Sequence, residues 1–177
     1  MPSTQRLLSD PAAVGIWALD PSLSTIGFTA KSMWGLSAVK GRFTRFAGDG
    51  QITDSRTVLG HIEICAASLD TKLRWRDRHL RSAEYFDAQT FPAISVVVTG
   101  ADTLNGDTVE LKAQLTVKGA TAPLPLRATL AMVADDAVRL SAQATVDRQR
   151  FGVDGNLMGM LPDDVTISGD VVFRRAG

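Results

Sequence analysis

Four stretches in the second half of the chain alternate apolar and polar residues with a period of two. "VELKAQLTV" puts Val109, Leu111, Ala113, Leu115 and Val117 on one side, with Glu110, Lys112, Gln114 and Thr116 on the other. "LPLRATLAM" repeats the pattern with Leu124, Leu126, Ala128, Leu130 and Met132, and "VRLSAQATV" with Val138, Leu140, Ala142, Ala144 and Val146. "VTISGDVVF" closes the series with Val165, Ile167, Gly169, Val171 and Phe173. Successive side chains of a strand point to opposite faces, so this period predicts half-buried strands. One dry face and one wet face point to antiparallel sheet, because parallel strands are covered on both faces.

Turn chemistry joins the strands. "NGD" at Asn105 to Asp107 is a strong hairpin signal, since Asn and Gly tolerate positive φ. "ADDA" at Ala134 to Ala137 is a weaker one, and Lys118 to Pro123 reads as a short loop around Gly119. The first half adds the strands "IWALD", "TIGFTAKS", "VKGRFTRF" and "TVLGHIEICAAS", and "ISVVVTG" resumes the sheet after Pro92. Between Leu69 and Pro92 the strand signal lapses. Asp70 or Thr71 can cap a helix there. Asp77 and Arg81 stand four apart in the favourable order for an ion pair along a helix. The chain therefore reads as all-β: residues 1–12 a tail, residues 13–177 one antiparallel domain with a short helical insertion around residues 72–86.

Pattern alone leaves two architectures open, a sandwich and a closed barrel. Many inward positions are small: Ala113, Ala128, Ala142, Ala144 and Gly169. A barrel of about eight strands is just wide enough for side chains or one ligand. Small inward residues favour the ligand; the alternative is that large residues of facing strands fill the gaps.

Charge narrows the partners. Nineteen basic residues balance nineteen acidic ones. Nucleic-acid binders carry a basic excess, so nucleic acid is not the expected partner. A local strip of Lys72, Arg74, Arg76, Arg78 and Arg81 around Trp75 is flanked by Asp70, Asp77, Glu84 and Asp87. Cys65 is the single cysteine, so no intrachain disulfide forms and a cytosolic setting is allowed. The N-terminal "MPSTQRLLSDPAAVGIW" lacks the pattern of a signal peptide, and no apolar run approaches the roughly 20 residues that span a bilayer. A soluble, cytoplasmic protein without stable membrane insertion is expected.

Chemistry has few handles. His61 and His79 are the two histidines, without a helical pair or a cysteine pair, so no metal site is expected. Neither G-x-S-x-G nor a P-loop occurs. An enzyme would have to use Asp77, His79 and Arg81 as an acid–base set at the barrel mouth. Their use as structural ion-pair residues is the simpler reading.

Several stretches together resemble the YceI-like domain family: "WALDPSLSTIGFTAKSMWGLSAVKGRFTRFAG", "ASLDTKLRWRDRHLRSAEYFDAQTFPAISV", "LTVKGATAPLPL" and "RQRFGVDGN". The resemblance runs from about Ile16 to the C-terminus, and the central block is its most specific part. It implies a single lipocalin-like antiparallel barrel. It also implies binding of a long amphiphile, notably a polyisoprenoid or isoprenoid quinone, without catalysis and with no cofactor beyond such a lipid. Some family members are exported and others cytoplasmic. This chain departs from the family where Leu23 and Ser32 replace the usual histidines, so a function resting on those imidazoles is not expected.

On this reading the binding residues are the inner face of the barrel. Leu111, Leu115, Leu126, Leu130 and Leu140 point inward by alternation, as does Phe28 with Ile26 and Ala30; Phe43 and Phe86 join them as aromatic candidates. Trp34 is placed near the mouth, narrowing it or stacking on the guest. His79 and Arg81 are candidates to meet a polar head group. Met158 and Met160, in the Gly-punctuated "GNLMGMLPDD", form either a lid or a surface for a partner subunit. Homodimerisation is left open, and so is a protein-docking module with a filled core.

Overall fold

Alternation becomes a closed wall. The computed structural model describes residues 2–31, 38–155 and 162–176. Its strands are β1 (Gly15–Lys31), β2 (Ala38–Phe43), β3 (Phe46–Ile52), β4 (Val58–Cys65), β5 (Leu69–Asp70), β6 (Ala93–Thr103), β7 (Thr108–Val117), β8 (Ala120–Pro123), β9 (Leu126–Ala134), β10 (Ala137–Asp147) and β11 (Asp164–Arg175). All pairings between them are antiparallel. β11 pairs back onto β1, from Trp17 opposite Arg175 to Thr29 opposite Thr166. That last pairing closes the sheet into an eight-stranded barrel and excludes the sandwich.

Eleven strands make eight staves because three staves are broken. β2 and β3 together run along β1, β2 on its second half and β3 on its first. β4 continues into β5 after a 3-10 turn at Ala66–Ser68. β8 and β9 share β7 in one register, Gln114 opposite Pro123 and Thr108 opposite Thr129, interrupted at Leu124 and Pro125. The chain otherwise winds up and down between sequence neighbours, the connection that short turns permit. Lys118 and Gly119, both at positive φ, make a two-residue hairpin between β7 and β8. The expected loop over Lys118 to Pro123 is thus only that turn, and Ala120–Pro123 is strand.

Two further expectations change. "IWALD" and "TIGFTAKS" form one strand, β1, with an excursion between Asp20 and Thr25. Ser24 Oγ accepts the Val172 amide at 2.9 Å and donates to the Asp20 carbonyl at 2.7 Å, so the excursion is stitched to the outside of the wall. Leu23 lies on this excursion, exposed and outside the barrel. The residues ahead of the domain form a helix, α1 (Ser3–Ser9), followed by a 3-10 turn at Pro11–Ala13. Leu7 of α1 is buried against Trp17, Ile52, Leu130, Val138 and Phe173. The Thr4 hydroxyl donates to the Gly106 carbonyl at 2.8 Å, and the Ser3 amide reaches the Asp107 carboxylate. α1 therefore caps the end of the barrel that carries the Asn105–Asp107 hairpin.

The opposite end carries the helical insertion, with α2 at Arg74–Leu80. Neither Asp70 nor Thr71 caps it; its N-cap is Leu73. Nor does Asp77 pair with Arg81. Asp77 is buried and accepts from the Thr71 amide at 2.8 Å and the Thr71 hydroxyl at 2.5 Å. Two short hydrogen bonds to a buried carboxylate outweigh a solvated ion pair, which is worth little.

Candidate functional site

The inner faces of the staves enclose a cavity of ≈ 350 Å³. Its wall runs from Leu7, Trp17 and Ile52 at the α1 end to Phe28, Phe43 and Phe86 at the α2 end. Leu111, Leu115, Leu126, Leu130 and Leu140 all line it, as the alternation predicts. Ala128, Ala142 and Gly169 lie on the same wall. A Cβ added at Gly169 would meet no atom within 4 Å, so the glycine faces open space rather than a packed neighbour. The filled barrel, one of the alternatives left open by the sequence, is not what the chain builds.

Burial along β10 and β11 shows the same thing. Val138, Val171 and Phe173 are buried. Leu140, Ala142, Ala144, Val165 and Ile167 point the same way and are only half-buried. A side chain aimed into a barrel stays accessible only if the interior opposite it is unfilled.

At the α2 end three rings meet. Phe28 stands 5.7 Å from Phe43 and 6.0 Å from Phe86, and Phe43 stands 5.9 Å from Phe86, nearly edge-on at 81°. These are the separations at which tilted rings attract. Phe28 lies over Gly41, its cross-strand partner. A Cβ at Gly41 would come within 2.4 Å of the Phe28 ring, so the glycine is what lets the ring lie flat.

Besides Gln51, His61 and Ser168, the polar residues lining this cavity include His79 and Arg76 at the α2 end. His79 lines the cavity, with its ring edge-on to Tyr85 at 5.2 Å and Nε2 3.6 Å from the Glu84 carboxylate. Arg76 also lines it, while its Nε donates to the Thr71 hydroxyl at 2.8 Å. Arg81 does not: its guanidinium donates to the Ala67 carbonyl at 2.9 Å and the Leu69 carbonyl at 3.0 Å. Arg81 thus fastens the insertion to the β4–β5 stave and is lost as a head-group candidate. Asp77, His79 and Arg81 face three separate sets of partners and form no acid–base set. The Asp70 carboxyl is held below its ordinary 3.8, first by the hydrogen bond from the Lys72 amide and, against the cost of burial, by the Lys72 charge. Trp34, Ser32, Met158 and Met160 lie outside the described residues.

Sequence reasoning missed several wall residues. Trp17 is buried, donates Nε1–H to the Ala13 carbonyl at 2.9 Å and carries Arg175 over its ring at 5.3 Å. Its alternation with Leu19 was legible, but the excursion after Asp20 hides its phase relative to Ile26. Arg148 is buried, donating to the carbonyls of Val153 at 2.7 Å, Gly155 at 2.8 Å and Pro162 at 2.9 Å. Only the Arg-x-x-Phe-Gly spacing marked it. It holds Val153, Gly155 and Pro162 around one guanidinium.

Comparison with known proteins agrees with this architecture. A UPF0312 protein of Vibrio cholerae is 34% identical over 101 residues, covering 53% of this chain and 51% of its own, so the chain spans about half the length of that relative. BcnA of Burkholderia cenocepacia superposes with a TM-score of 0.79 at 19% identity, over 87% of this chain and 98% of its own. A polyisoprenoid binding domain from Saccharophagus degradans, implicated in plant cell wall breakdown, superposes at 0.75 with 15% identity, over 90% and 98%. The YceI-like domain itself matches residues 17–173, and with nearly the whole barrel inside that match, the chain belongs to the YceI-like domain family.

Proposed function

We propose that this protein binds a long apolar amphiphile, a polyisoprenoid or an isoprenoid quinone, inside the barrel, and carries or stores it without chemical change. The observation that supports this most directly is the apolar cavity running between the two barrel ends. The family and the S. degradans domain named for polyisoprenoid binding support the same guest. The tail lies along Leu111, Leu115, Leu126 and Leu140, and the polar end lies at His79.

The energetics are sufficient without polar contacts. At roughly 0.3 kcal/mol per heavy atom, about thirty buried carbons supply ~9 kcal/mol, a sub-micromolar affinity. An unfilled apolar cavity costs a fold roughly 24 cal/mol per Å³, so ≈ 350 Å³ corresponds to on the order of 8 kcal/mol forgone. That approaches the whole net stability of a domain. A guest restores those contacts. Its release into water would cost about 0.8 kcal/mol per methylene, so exchange proceeds through contact with another apolar phase.

Native mass spectrometry of the purified protein, followed by uptake of an isoprenoid quinone and of a prenyl phosphate, tests the reading. A lipid adduct or saturable uptake is expected; neither appearing overturns it. Gly169→Phe sharpens the test. Its ring enters open space, so melting is expected to stay level or rise while uptake falls at least about tenfold, an affinity loss of ~1.4 kcal/mol. Unchanged uptake would place the guest elsewhere.

A further inference from the structure

Beside the cavity wall, α2 exposes an apolar edge. Leu73, the N-cap of the seven-residue helix, is 42% exposed, and Trp75 in its first turn is 61% exposed while it lines the rim of the cavity with Arg76 and His79. A bulky aromatic left in water at the rim of an apolar cavity is uncommon unless something covers it. Around this edge stand exposed cations: Lys72, Arg74 and Arg78 on the insertion, and Lys31, Lys40 and Arg42 on the adjoining β1–β2 pair. β2 is joined to the α2 insertion through β5, where Arg42 pairs with Asp70.

The chain totals zero charge, so the cations of this edge are a local excess. At the α1 end the hairpin loops expose Asp54, Asp102, Asp107, Asp135 and Asp136. Arg6, Arg56, Lys112, Arg174 and Arg175 stand at the same end, Lys112 3.7 Å from Asp102 and Arg174 4.0 Å from Asp136, so that end carries both signs. Of the acids at the α2 end, Glu84 bonds through its carbonyl to the Gly155 amide, next to Asp154, and its carboxylate stands 3.6 Å from His79. The β2–β5–α2 edge is left basic, with Asp70 its partly shielded exception, 3.6 Å from Lys72.

We propose that this edge docks the barrel transiently on an anionic lipid bilayer, with Trp75 and Leu73 entering the headgroup region and the cations meeting lipid phosphates. Aromatic and aliphatic side chains ringed by Lys and Arg are the chemistry of an interfacial surface, and juxtaposed cations strengthen it on anionic leaflets. The inference rests on the carrier reading, because a guest that cannot cross water requires the cavity to meet the bilayer directly.

Flotation of the ligand-free protein with vesicles tests it, using phosphatidylcholine alone and phosphatidylcholine with roughly a third phosphatidylglycerol. Binding to the anionic vesicles alone, fading as salt rises, is expected, with a blue shift of tryptophan emission. The double substitution Leu73→Asp and Arg74→Glu alters neither wall residue nor fold, since Asp suits the helix N-cap. It should lower vesicle binding at least about tenfold while leaving quinone uptake intact, as the surface term predicts. Guest transfer between vesicles should accelerate with vesicle concentration. Binding of the double variant equal to the parent, or transfer independent of vesicle concentration, overturns the proposal. Vesicle binding without any quinone uptake would overturn the carrier reading and leave the docking surface standing.

Discussion

Leu130 and Leu140 face each other across two neighbouring strands and point into the same barrel. Leu130 is 6% exposed, packed among Leu7, Trp17, Val138 and Phe173. Leu140 is half-buried and looks across at the open space beside Ala142 and Gly169. One pair of residues thus straddles the border between a packed end, sealed by α1, and a hollow middle. Identical chemistry on identical strands produces core on one side of that border and an open cavity wall on the other. What differs is whether anything large stands opposite.

The comparison breaks most visibly at Trp17. Trp17→Ala removes the largest side chain of the packed end, with its bond to Ala13, and should cost about 3–5 kcal/mol in urea unfolding. A loss under 1 kcal/mol would mean the α1 end is not packed. Leu130→Ala should cost about 2–5 kcal/mol, whereas Leu140→Ala should cost less, about 1–2 kcal/mol, because Leu140 is only half-buried where it packs beside the same cluster. Equal losses would erase the border. Gly41→Ala probes the aromatic end: the new methyl pushes the Phe28 ring off the strand, costing about 1–3 kcal/mol and shrinking the space for a guest. Thermal melting with and without quinone reads both effects.

The smallest expected effect lies outside the cavity. The carboxyl of Asp70 sits below its ordinary 3.8 in the folded chain, so the stability it lends is complete above that value and is lost as the pH falls through the lower, folded one. The insertion should loosen only in that acid window, seen as faster proteolysis between Leu69 and Pro92. Asp70→Asn should remove the step. Loosening at neutral pH would assign it to another group.

Much of the barrel was legible. In β7 every second residue from Val109 to Val117 is buried, as the alternation required. β3 escaped notice because "FAGDGQI" reads as loop: alanine, glycine and aspartate hide the inward phase of Phe46, Gly48, Gly50 and Ile52. α1 escaped because a single docked leucine, Leu7, leaves too faint a helical stripe in seven residues. The Asp77–Arg81 spacing suggested a partner that burial took away. Asp77 turned to Thr71, and Arg81 to two backbone carbonyls, once the insertion folded against its stave.

The sequence by itself determined direction: which side chains point inward, where the chain turns, and that the sheet is antiparallel. The period of two is local, so each strand carries it alone. Only the tertiary structure decided that the inward side chains fail to meet. The gap between opposite walls depends on strand number and stagger at closure, which no single strand encodes. For that reason Gly169 was an inward glycine in the sequence and became, in the closed barrel, part of the wall of an apolar cavity.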